Sequence, residues 1–346
     1  MKEPRNRVVE VGRFGDADGL QVVDAPMPTA GRGEVRVRVF ASSVEYTDTL
    51  IRRHLYPWVF RRPPFVMGYD VVGEVDQLGG GVSDFRIGDC VADMTVLGSN
   101  AAYRTLRADR VTLVPPGVDP AEAAALILSW TTAYQLLHRA ARVRRGQRAL
   151  VQGAAGAVGQ ALLVLGKAAG LELWGTARRE HAALVRELGG MPIDYRGEDF
   201  GRVVAGGFDV VFDGIGEDGY RRSFAALKRG GLLCAYGYTA GAQARRGMLT
   251  MLMWAARLFL WGWMPGGKRT SGYSINVMRA RHPDWFREDL ARLFALLASG
   301  AIRPRIAARI SFDEVAEAHR RLEAGGLDGK LVLCPDLSSR LERVPS

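Results

Sequence analysis

A glycine-rich segment with the sequence Gly153-Ala154-Ala155-Gly156-Ala157-Val158-Gly159 offers the clearest chemistry in the chain. It follows an apolar run that ends at Gln152 and precedes an apolar helical pattern that includes Leu162, Leu163 and Leu165. Glycines allow a tight turn in which backbone N–H groups approach a phosphate, and the positive end of the following helix attracts the same anion. The spacing G-x-x-G-x-x-G differs from the usual G-x-G-x-x-G, and an ordinary strand-to-helix turn can also be rich in glycine. Because the segment lies between a predicted strand and a predicted helix, it predicts a dinucleotide-binding turn.

Two arginines, Arg178 and Arg179, follow the next predicted strand, which ends Gly175-Thr176-Ala177. A site for NAD(H) usually has Asp or Glu at this place, where the carboxylate binds the ribose 2′-hydroxyl. Two guanidinium groups suit a 2′-phosphate instead, because arginine binds phosphate in a bidentate manner. The alternative is a solvated pair of arginines on a basic protein. The pattern predicts NADPH rather than NADH as the cofactor.

Composition limits the class of protein. The chain has 346 residues, 48% apolar and 24% charged, with a net charge of +10. The basic residues are scattered, with no Lys/Arg run of five or more, so we expect no specific nucleic-acid partner. Cys90, Cys234 and Cys334 are far apart and form no C-x-x-C pair, which argues against a disulfide framework and a zinc site. With no apolar leader after Met1, these features predict a cytoplasmic protein.

The elements that position these residues fall into two groups. Up to residue 122 the chain reads as short strands joined by turns, as in a barrel-like β domain. From Pro120 helices appear, and beyond the glycine turn strands and helices alternate, which predicts a parallel, doubly wound sheet. We predict a β domain over residues 1–122, to which residues 303–346 return, a nucleotide-binding domain over 123–302, and a cleft between them.

Several motifs extend over nearly the whole chain: Glu45-Tyr46-Thr47-Asp48, Leu55-Tyr56-Pro57, Gly68-Tyr69-Asp70-Val71-Val72-Gly73, Gly88-Asp89, Thr132-Ala133-Tyr134, Ala154–Gly159, Ile193-Asp194-Tyr195 and Gly329-Lys330. With them the chain resembles the medium-chain dehydrogenase/reductase superfamily, and within it the zinc-free quinone oxidoreductase branch that includes VAT-1-type proteins. The resemblance implies an α/β fold with a GroES-like β-rich barrel domain and a Rossmann domain. It is more specific for fold and cofactor than for substrate.

The resemblance also implies that no metal is bound. Zinc-containing relatives have Cys where Glu45 stands and His where Tyr69 stands, and Leu128 falls at the expected third ligand. The five histidines show no ligand spacing. Quinone reductases of this group usually have Asn at the position of Glu45, so Glu45 is a departure. Its carboxylate would repel anionic substrates, or relay a proton if burial raised its pKa.

The resemblance implies a set of cofactor contacts along both domains. The predicted contacts to NADPH are Glu45, Thr132, Gly153, Ala155, Gly156, Ala157, Val158, Gly159, Arg178, Arg179, Tyr195, Tyr236, Gly237, Tyr238 and Lys330. Tyr195 would reach the adenosine phosphate from the end of its strand, or would be a surface tyrosine there.

Without a metal, hydrogen-bond donors must stabilise the oxygen that becomes negative on hydride addition. Tyr46 is the first candidate donor, followed by Tyr56 and Tyr69; Tyr46 alternatively packs against the nicotinamide or the cleft wall. Asp48 is expected to cap the helix that it opens. We predict reduction of a hydrophobic quinone or α,β-unsaturated carbonyl. The alternative is a non-enzymatic NADPH-binding protein on a membrane surface or RNA.

An apolar stretch from Met248 to Met264 is unusual for this fold. Its central Arg257 and mid-chain position argue against a membrane span. It is expected to line a substrate pocket, to pack across a dimer interface, or to lie on a membrane surface. The resemblance further implies a homodimer, with residues 273–281 as the edge strand at which relatives dimerise.

Overall fold

A computed structural model describes residues 5–56, 59–216, 218–238 and 248–335, without the side chains of Arg202, Asp218, Met248, Leu249 and Met251. Pro57 of the Leu55-Tyr56-Pro57 motif lies outside these ranges. The chain divides into two compact units, residues 1–128 with 283–346, and residues 129–282. The second boundary lies 20 residues before the predicted one, because the helix over 283–298 groups with the first unit.

Sixteen strands lie in the described residues: β1 (Arg5–Val11), β2 (Leu20–Pro26), β3 (Glu34–Val44), β4 (Phe65–Val66), β5 (Asp70–Leu78), β6 (Cys90–Met94), β7 (Tyr103–Arg107), β8 (Thr112–Leu113), β9 (Arg148–Val151), β10 (Glu172–Ala177), β11 (Met191–Asp194), β12 (Phe208–Asp213), β13 (Leu227–Ala235), β14 (Arg269–Gly272), β15 (Ile306–Ile310) and β16 (Lys330–Leu333). The α-helices are α1 (Tyr46–Arg52), α2 (Pro120–Ile127), α3 (Ser129–Gln135), α4 (Ala157–Ala168), α5 (Ala182–Glu187), α6 (Phe200–Val203), α7 (Asp218–Ala225), α8 (Met248–Trp261), α9 (Ile275–Arg281), α10 (Pro283–Ala298) and α11 (Val315–Ala324).

The first unit is built on a seven-stranded sheet in the order β15-β16-β3-β5-β6-β8, with β7 also paired to β3. A second sheet has the order β2-β1-β4. Along β3 the valines at 35, 37 and 39 are buried, whereas Arg36 and Arg38 point outward and bond to Asp76 and Glu74 of β5. This alternation is the period-two pattern of a half-buried strand, and the predicted β-rich domain is confirmed.

The second unit contains a six-stranded sheet in the order β11-β10-β9-β12-β13-β14, with every pair parallel. In chain order this is 3-2-1-4-5-6, the order of the Rossmann fold. The order reverses between β9 and β12, and such folds bind dinucleotides at the carboxyl ends of the strands near this point. The predicted doubly wound sheet is therefore confirmed.

Residues 273–281 do not form the predicted edge strand, and that prediction was wrong. The edge strand β14 ends at Gly272, and residues 275–281 form α9. Ser274 has the extended backbone of an N-cap, and Arg279 and Arg281 lie in the last turn, where positive charge favours a helix. In the described parts of the chain, no helix is both long and apolar enough to cross a bilayer.

Candidate functional site

The glycine turn of the second unit joins β9 to α4, as predicted. Gly153 has φ +67°, a conformation that favours glycine. A Cβ atom on Gly159 would lie 2.3 Å from the carbonyl oxygen of Gly153, so only glycine allows α4 to pack this closely on the turn. A Cβ atom on Gly156 would meet only that same oxygen, at 3.3 Å. The Gly156 position therefore leaves room for a ligand to approach the backbone.

The N-terminus of α4 is suited to bind an anion. Gly156 is its N-cap residue, so no side chain caps the first N–H groups of the helix. The first turn, Ala157 to Gly159, carries no acidic residue. Together with the open face at Gly156, these features fit the pyrophosphate of a dinucleotide.

The residues expected to bind the adenosine end follow neighbouring strands. Ala177 of β10 pairs with Asp194 of β11, so Arg178 and Tyr195 emerge side by side at the carboxyl edge of the sheet. Tyr195 is 42% exposed, and the guanidinium of Arg196 lies over its ring at 6.0 Å. Arg179 is exposed. Sequence reasoning missed Arg196, although a third arginine next to Tyr195 was a visible signal for an anion site.

The Arg178 side chain is engaged within the unit. Its Nη1 atom lies 3.0 Å from Oε1 of Glu180, and the Arg178 side chain is 38% exposed. Exposed ion pairs of this kind contribute little free energy, at most about 1 kcal/mol. A phosphate group with two negative charges can therefore compete with Glu180 for this guanidinium.

A buried hydrogen-bond chain that sequence reasoning missed lies beneath the glycine turn. The Thr176 hydroxyl donates to Gln152 (2.6 Å), the Gln152 amide donates to Ser223 (3.1 Å), and Ser223 donates to Asp213 (2.7 Å). The N–H of Gly153 donates to the Thr176 hydroxyl at 3.1 Å, which ties the turn to this chain. Polar residues at the ends of apolar strands, Gln152 after β9 and Asp213 in β12, were the signal for it.

Asp213 also organises the loop after β12. Its carboxylate accepts hydrogen bonds from the N–H groups of Ile215 (2.8 Å) and Gly216 (3.2 Å). Burial raises the pKa of Asp213, and the hydrogen bonds from Ser223 and these two amides oppose that rise. The carboxylate thus fixes a loop at the carboxyl edge of the sheet, next to the predicted cofactor turn.

The predicted contacts Tyr236, Gly237 and Tyr238 follow β13 and are half-buried. Close packing determines their place, since a Cβ atom on Gly237 would lie 2.7 Å from the carbonyl oxygen of Gly214. The Tyr220 hydroxyl donates to the Gly237 carbonyl. Burial raises the pKa of the Tyr236 phenol. Thr132, the remaining predicted contact of this unit, is buried in α3.

In the first unit, the structure joins two residues that were each predicted to contact the cofactor. Leu331 of β16 pairs with Val44 of β3, and this register sets Lys330 beside Glu45. The Lys330 ammonium forms an ion pair and hydrogen bond with Oε1 of Glu45, and both side chains are 8% exposed. The charge of Glu45 is therefore balanced within the protein.

Ser43 connects this ion pair to a second carboxyl group. Its hydroxyl contacts Oε1 of Glu45 at 2.9 Å and also Oδ2 of Asp70, and its N–H donates to Oδ1 of Asp70 at 2.7 Å. One hydroxyl proton cannot satisfy both carboxylates fully, so a proton on Asp70 completes the arrangement. Burial and then the charge of Glu45 raise the pKa of Asp70 to about 7, against the opposing effects of Lys330 and Ser43.

Glu45 and Asp48 form a capping box at the start of α1. Glu45 is the N-cap residue, and its N–H donates to Oδ2 of Asp48 at 2.8 Å. The expected capping role of Asp48 is thus exerted from the third position of the helix. Burial raises the pKa of Asp48 well above its usual value, and its Oδ1 atom has no hydrogen-bond partner in the described parts of the chain. Burial thus disfavours the charged form of this carboxyl group.

The residues at the metal-ligand positions of zinc relatives do not fit zinc. Glu45 is bound by an ammonium group, Tyr69 is a buried phenol, and Leu128 has no donor atom. Among the residues that the structure describes, no group of three or more His, Cys, Asp and Glu side chains could hold a metal ion. Zinc prefers thiolate and imidazole ligands, which these positions lack.

The three candidate tyrosines differ in accessibility. The hydroxyl groups of Tyr56 and Tyr69 lie 3.0 Å apart, with the rings edge to face. Tyr69 is 1% exposed, whereas Tyr46 and Tyr56 are half-buried. Tyr46 begins α1, and its hydroxyl has no hydrogen-bond partner among the described residues. Tyr46 and Tyr56 can therefore offer a proton to a substrate oxygen, with Tyr69 as support for Tyr56.

Comparisons with known proteins agree with this architecture. The family model for the alcohol dehydrogenase GroES-like domain matches residues 31–116, and the model for zinc-binding dehydrogenases matches residues 189–333. A quinone oxidoreductase of Pseudomonas aeruginosa is 31% identical over 94% of this chain and 99% of its own length. A 2-haloacrylate reductase of a Burkholderia species is 28% identical over 94% of this chain and 98% of its own. A crystal structure of quinone oxidoreductase from Pseudomonas syringae superposes with a TM-score of 0.82, at 27% identity, over 95% of this chain and all of that chain.

Proposed function

The chain belongs to the medium-chain dehydrogenase/reductase superfamily, and we propose that it is an NADPH-dependent, zinc-independent reductase of quinones or α,β-unsaturated carbonyl compounds. The observation that carries this proposal is the Glu45–Lys330 ion pair, which stands where zinc relatives have a metal ligand. The ammonium group of Lys330 is bound to that carboxylate in place of a metal cation. Activation of the acceptor oxygen then falls to hydroxyl donors.

The second unit supplies the residues that would hold the cofactor. The N-terminus of α4 and the turn from Gly153 to Gly156 suit the pyrophosphate, and Arg178 with Arg196 suits a 2′-phosphate. NADPH, when bound, supplies the hydride. An acidic residue directly after β10 would suit the ribose hydroxyls of NAD, but Arg178 stands there. The nearby Glu180 is already paired with Arg178.

The first unit supplies donors for the acceptor. Addition of hydride to a quinone or a conjugated enone leaves negative charge on an oxygen atom, and a hydroxyl donor placed at that oxygen lowers the barrier. Tyr46 is half-buried and its hydroxyl is available, so we assign it this role, with Tyr56 as a second donor. Both tyrosines orient the acceptor through its carbonyl oxygen.

The reduced product also needs a proton. Asp70 titrates near neutral pH, and the hydroxyl of Ser43 joins it to Glu45. We assign this buried group the role of a proton reserve near the acceptor-binding residues. Since Lys330 pairs with Glu45, the carboxylate of Glu45 is balanced within the protein beside this group.

Three broader features are part of the proposal: the localisation, the class of acceptor and the oligomeric state. Cys90, Cys234 and Cys334 carry thiols rather than disulfides, as suits a reducing cytoplasm. The small-molecule acceptor is hydrophobic, and the protein is a homodimer, which size-exclusion chromatography with light scattering would test directly.

Oxidation of NADPH, followed by absorbance at steady state, tests the function. The protein is mixed with NADPH or NADH and with a water-soluble benzoquinone or a small conjugated enone. We expect turnover with NADPH to exceed turnover with NADH by at least tenfold, with one or both acceptors. NADPH that binds, as measured by its fluorescence, without turnover of a broad acceptor panel would instead indicate a binding protein. Preference for NADH would contradict the role of Arg178.

A further inference from the structure

The positive charge of the chain is concentrated in one segment. Residues 219–283 contain eleven Lys and Arg residues and no Asp or Glu. The rest of the chain, with 36 basic and 37 acidic residues, is almost neutral. Basic residues are spread along the chain, as expected, and the excess of positive charge arises because this segment has no acidic residue. This segment carries the entire net charge, and it contains α8.

Among the side chains of α8 that the structure describes, those of one face pack against the rest of the second unit. Trp254, Leu258 and Trp261 recur at helical spacing and lie against Tyr220 and Phe224 of α7. The hydroxyl of Thr270 in the β14 edge strand donates to the Leu258 carbonyl at 2.6 Å, which holds the helix in place. These three side chains of α8 are thus packed against the core of the second unit.

The opposite face of α8 is also apolar, but it is exposed. Leu252 is 55% exposed and Phe259 is 65% exposed, and at 100° per residue both point away from the packed face. The segment continues the exposed surface after the helix ends. Its exposed large apolar side chains are Leu252, Met253, Phe259, Leu260, Trp263 and Met264. They are six of the thirteen such side chains that the described residues contain, so the exposure is local.

Basic residues border this apolar surface. The exposed Arg257 lies on α8 itself, with its guanidinium 5.0 Å from the centre of the Trp254 ring. Arg229 is exposed next to Gly230, whose N–H donates to the carbonyl of Gly267 just beyond Met264. Arg269 follows two residues later and is exposed too. An apolar face with a rim of arginines is typical of segments that lie in the interface of an anionic membrane.

We propose that α8 and the turn to Met264 dock on an anionic lipid bilayer. The apolar side chains enter the boundary between headgroups and acyl chains, and the arginines bind lipid phosphates. The helix has 14 residues, about 21 Å in length at 1.5 Å per residue, too short to cross a hydrocarbon core of about 30 Å. It therefore lies along the surface, with the rest of the second unit on its solvent side.

Two other roles were expected for residues 248–264, a dimer interface and the lining of a substrate pocket, and both fit the exposed surface of α8 less well. A symmetric dimer through this face would bring the same basic segment of both copies together, without an acidic residue from 219 to 283 to balance it. A substrate pocket encloses its ligand, whereas Trp263 is 78% exposed and Phe259 is 65% exposed. RNA would pair with the arginines but not with a continuous face of Leu, Met and Phe.

Vesicle flotation tests the proposal. Purified protein is mixed with vesicles of phosphatidylglycerol and phosphatidylcholine in equal parts, or of phosphatidylcholine alone. We expect binding to the anionic vesicles that weakens at high salt. The variant Phe259→Ser/Leu260→Ser/Trp263→Ser should bind at least tenfold more weakly, and Phe60→Ser/Ile87→Ser, which alters equally exposed apolar residues elsewhere, should bind like the wild type. Arg229→Gln/Arg257→Gln/Arg269→Gln should lose the preference for anionic lipid, unlike Arg13→Gln/Arg32→Gln.

Other outcomes would overturn the proposal that α8 docks on an anionic bilayer. Equal flotation of the α8 variant and the wild type, or no flotation of the wild type with anionic vesicles, would refute membrane docking. Conversion of a dimer to a monomer by the α8 variant, without vesicle binding by the wild type, would assign the face to a second copy. Salt-sensitive binding of RNA without lipid binding would assign it to nucleic acid. Unchanged circular dichroism and unchanged turnover with a water-soluble quinone show that each variant is folded.

Discussion

Lys330 and Glu45 form a buried ion pair across 285 residues of sequence. The pair depends on the antiparallel register of β16 on β3, in which Leu331 faces Val44. It balances one carboxylate of a buried cluster that also holds Asp48 and Asp70. Its removal should therefore have consequences for stability as well as for activity.

The variant Lys330→Met should lower the free energy of unfolding by about 3–5 kcal/mol, because it leaves the buried carboxylate of Glu45 without a cation. The double variant Lys330→Met/Glu45→Gln should recover most of this loss, since no buried charge remains unpaired. Urea denaturation of both variants and of Glu45→Gln completes the thermodynamic cycle. A loss below about 1 kcal/mol in Lys330→Met would mean that the pair is not buried in solution.

The variant Asp70→Asn should change the dependence of stability on pH. The folded-state pKa of Asp70 is raised to about 7 from a usual value of 3.8. The protonated carboxyl group therefore contributes to the free energy of unfolding fully below about pH 4, and this contribution is lost as pH rises through 7. The variant should therefore gain stability over the wild type across this window, by up to about 1.4 kcal/mol per pH unit. Asp84→Asn, at an exposed turn, is the control and should run parallel to the wild type. An Asp70→Asn curve parallel to the wild type would show that the carboxyl group ionises normally.

The variant Arg178→Gln should raise the KM for NADPH by tenfold or more and leave the KM for NADH almost unchanged, because only NADPH has the 2′-phosphate. Arg186→Gln, an exposed arginine in the last turn of α5, serves as the matched control. Initial rates over a range of each cofactor give the comparison. An equal rise for both cofactors would place Arg178 at the shared part of the dinucleotide or in a structural role.

The variant Tyr46→Phe should lower kcat by about 100-fold, with little change in the KM for NADPH, if its hydroxyl stabilises the acceptor oxygen. Tyr56→Phe should have a smaller effect, since Tyr69 keeps a hydroxyl near that position. Tyr103→Phe, on β7 of the same unit, should behave like the wild type. A kcat of Tyr46→Phe near the wild-type value would transfer the donor role to Tyr56.

Features of the fold that depend on a local pattern of residues could be predicted from the sequence. The valines of β3 alternate with Arg36 and Arg38, and the turn at Gly153 lies between a strand and a helix, so both could be predicted. The Glu45–Lys330 pair could not, because it depends on which strand pairs with β3 and in what register. The chain from Thr176 through Gln152 to Asp213 has the same origin, since β10, β9 and β12 are neighbours only in the folded sheet.

Packing decides two further cases. The apolar pattern of α8 is nearly continuous, so the sequence cannot show that Leu258 is buried while Phe259 is exposed. Residues 273–281 show an apolar alternation that favours a strand and basic residues, Arg279 and Arg281, that favour the end of a helix. The structure has a helix there. The distribution of charge needed no structure, since a count of acidic residues from 219 to 283 reveals it.

Turnover by metal-free protein shows whether the reaction needs zinc. The protein is treated with a strong chelator, its zinc content is measured by mass spectrometry, and oxidation of NADPH by a quinone and by an enone is followed with and without added zinc. We predict that chelation leaves the rate unchanged and that added zinc does not increase it, because Lys330 already occupies the carboxylate of Glu45. Activity that disappears with the metal and returns with zinc would show that the enzyme depends on zinc.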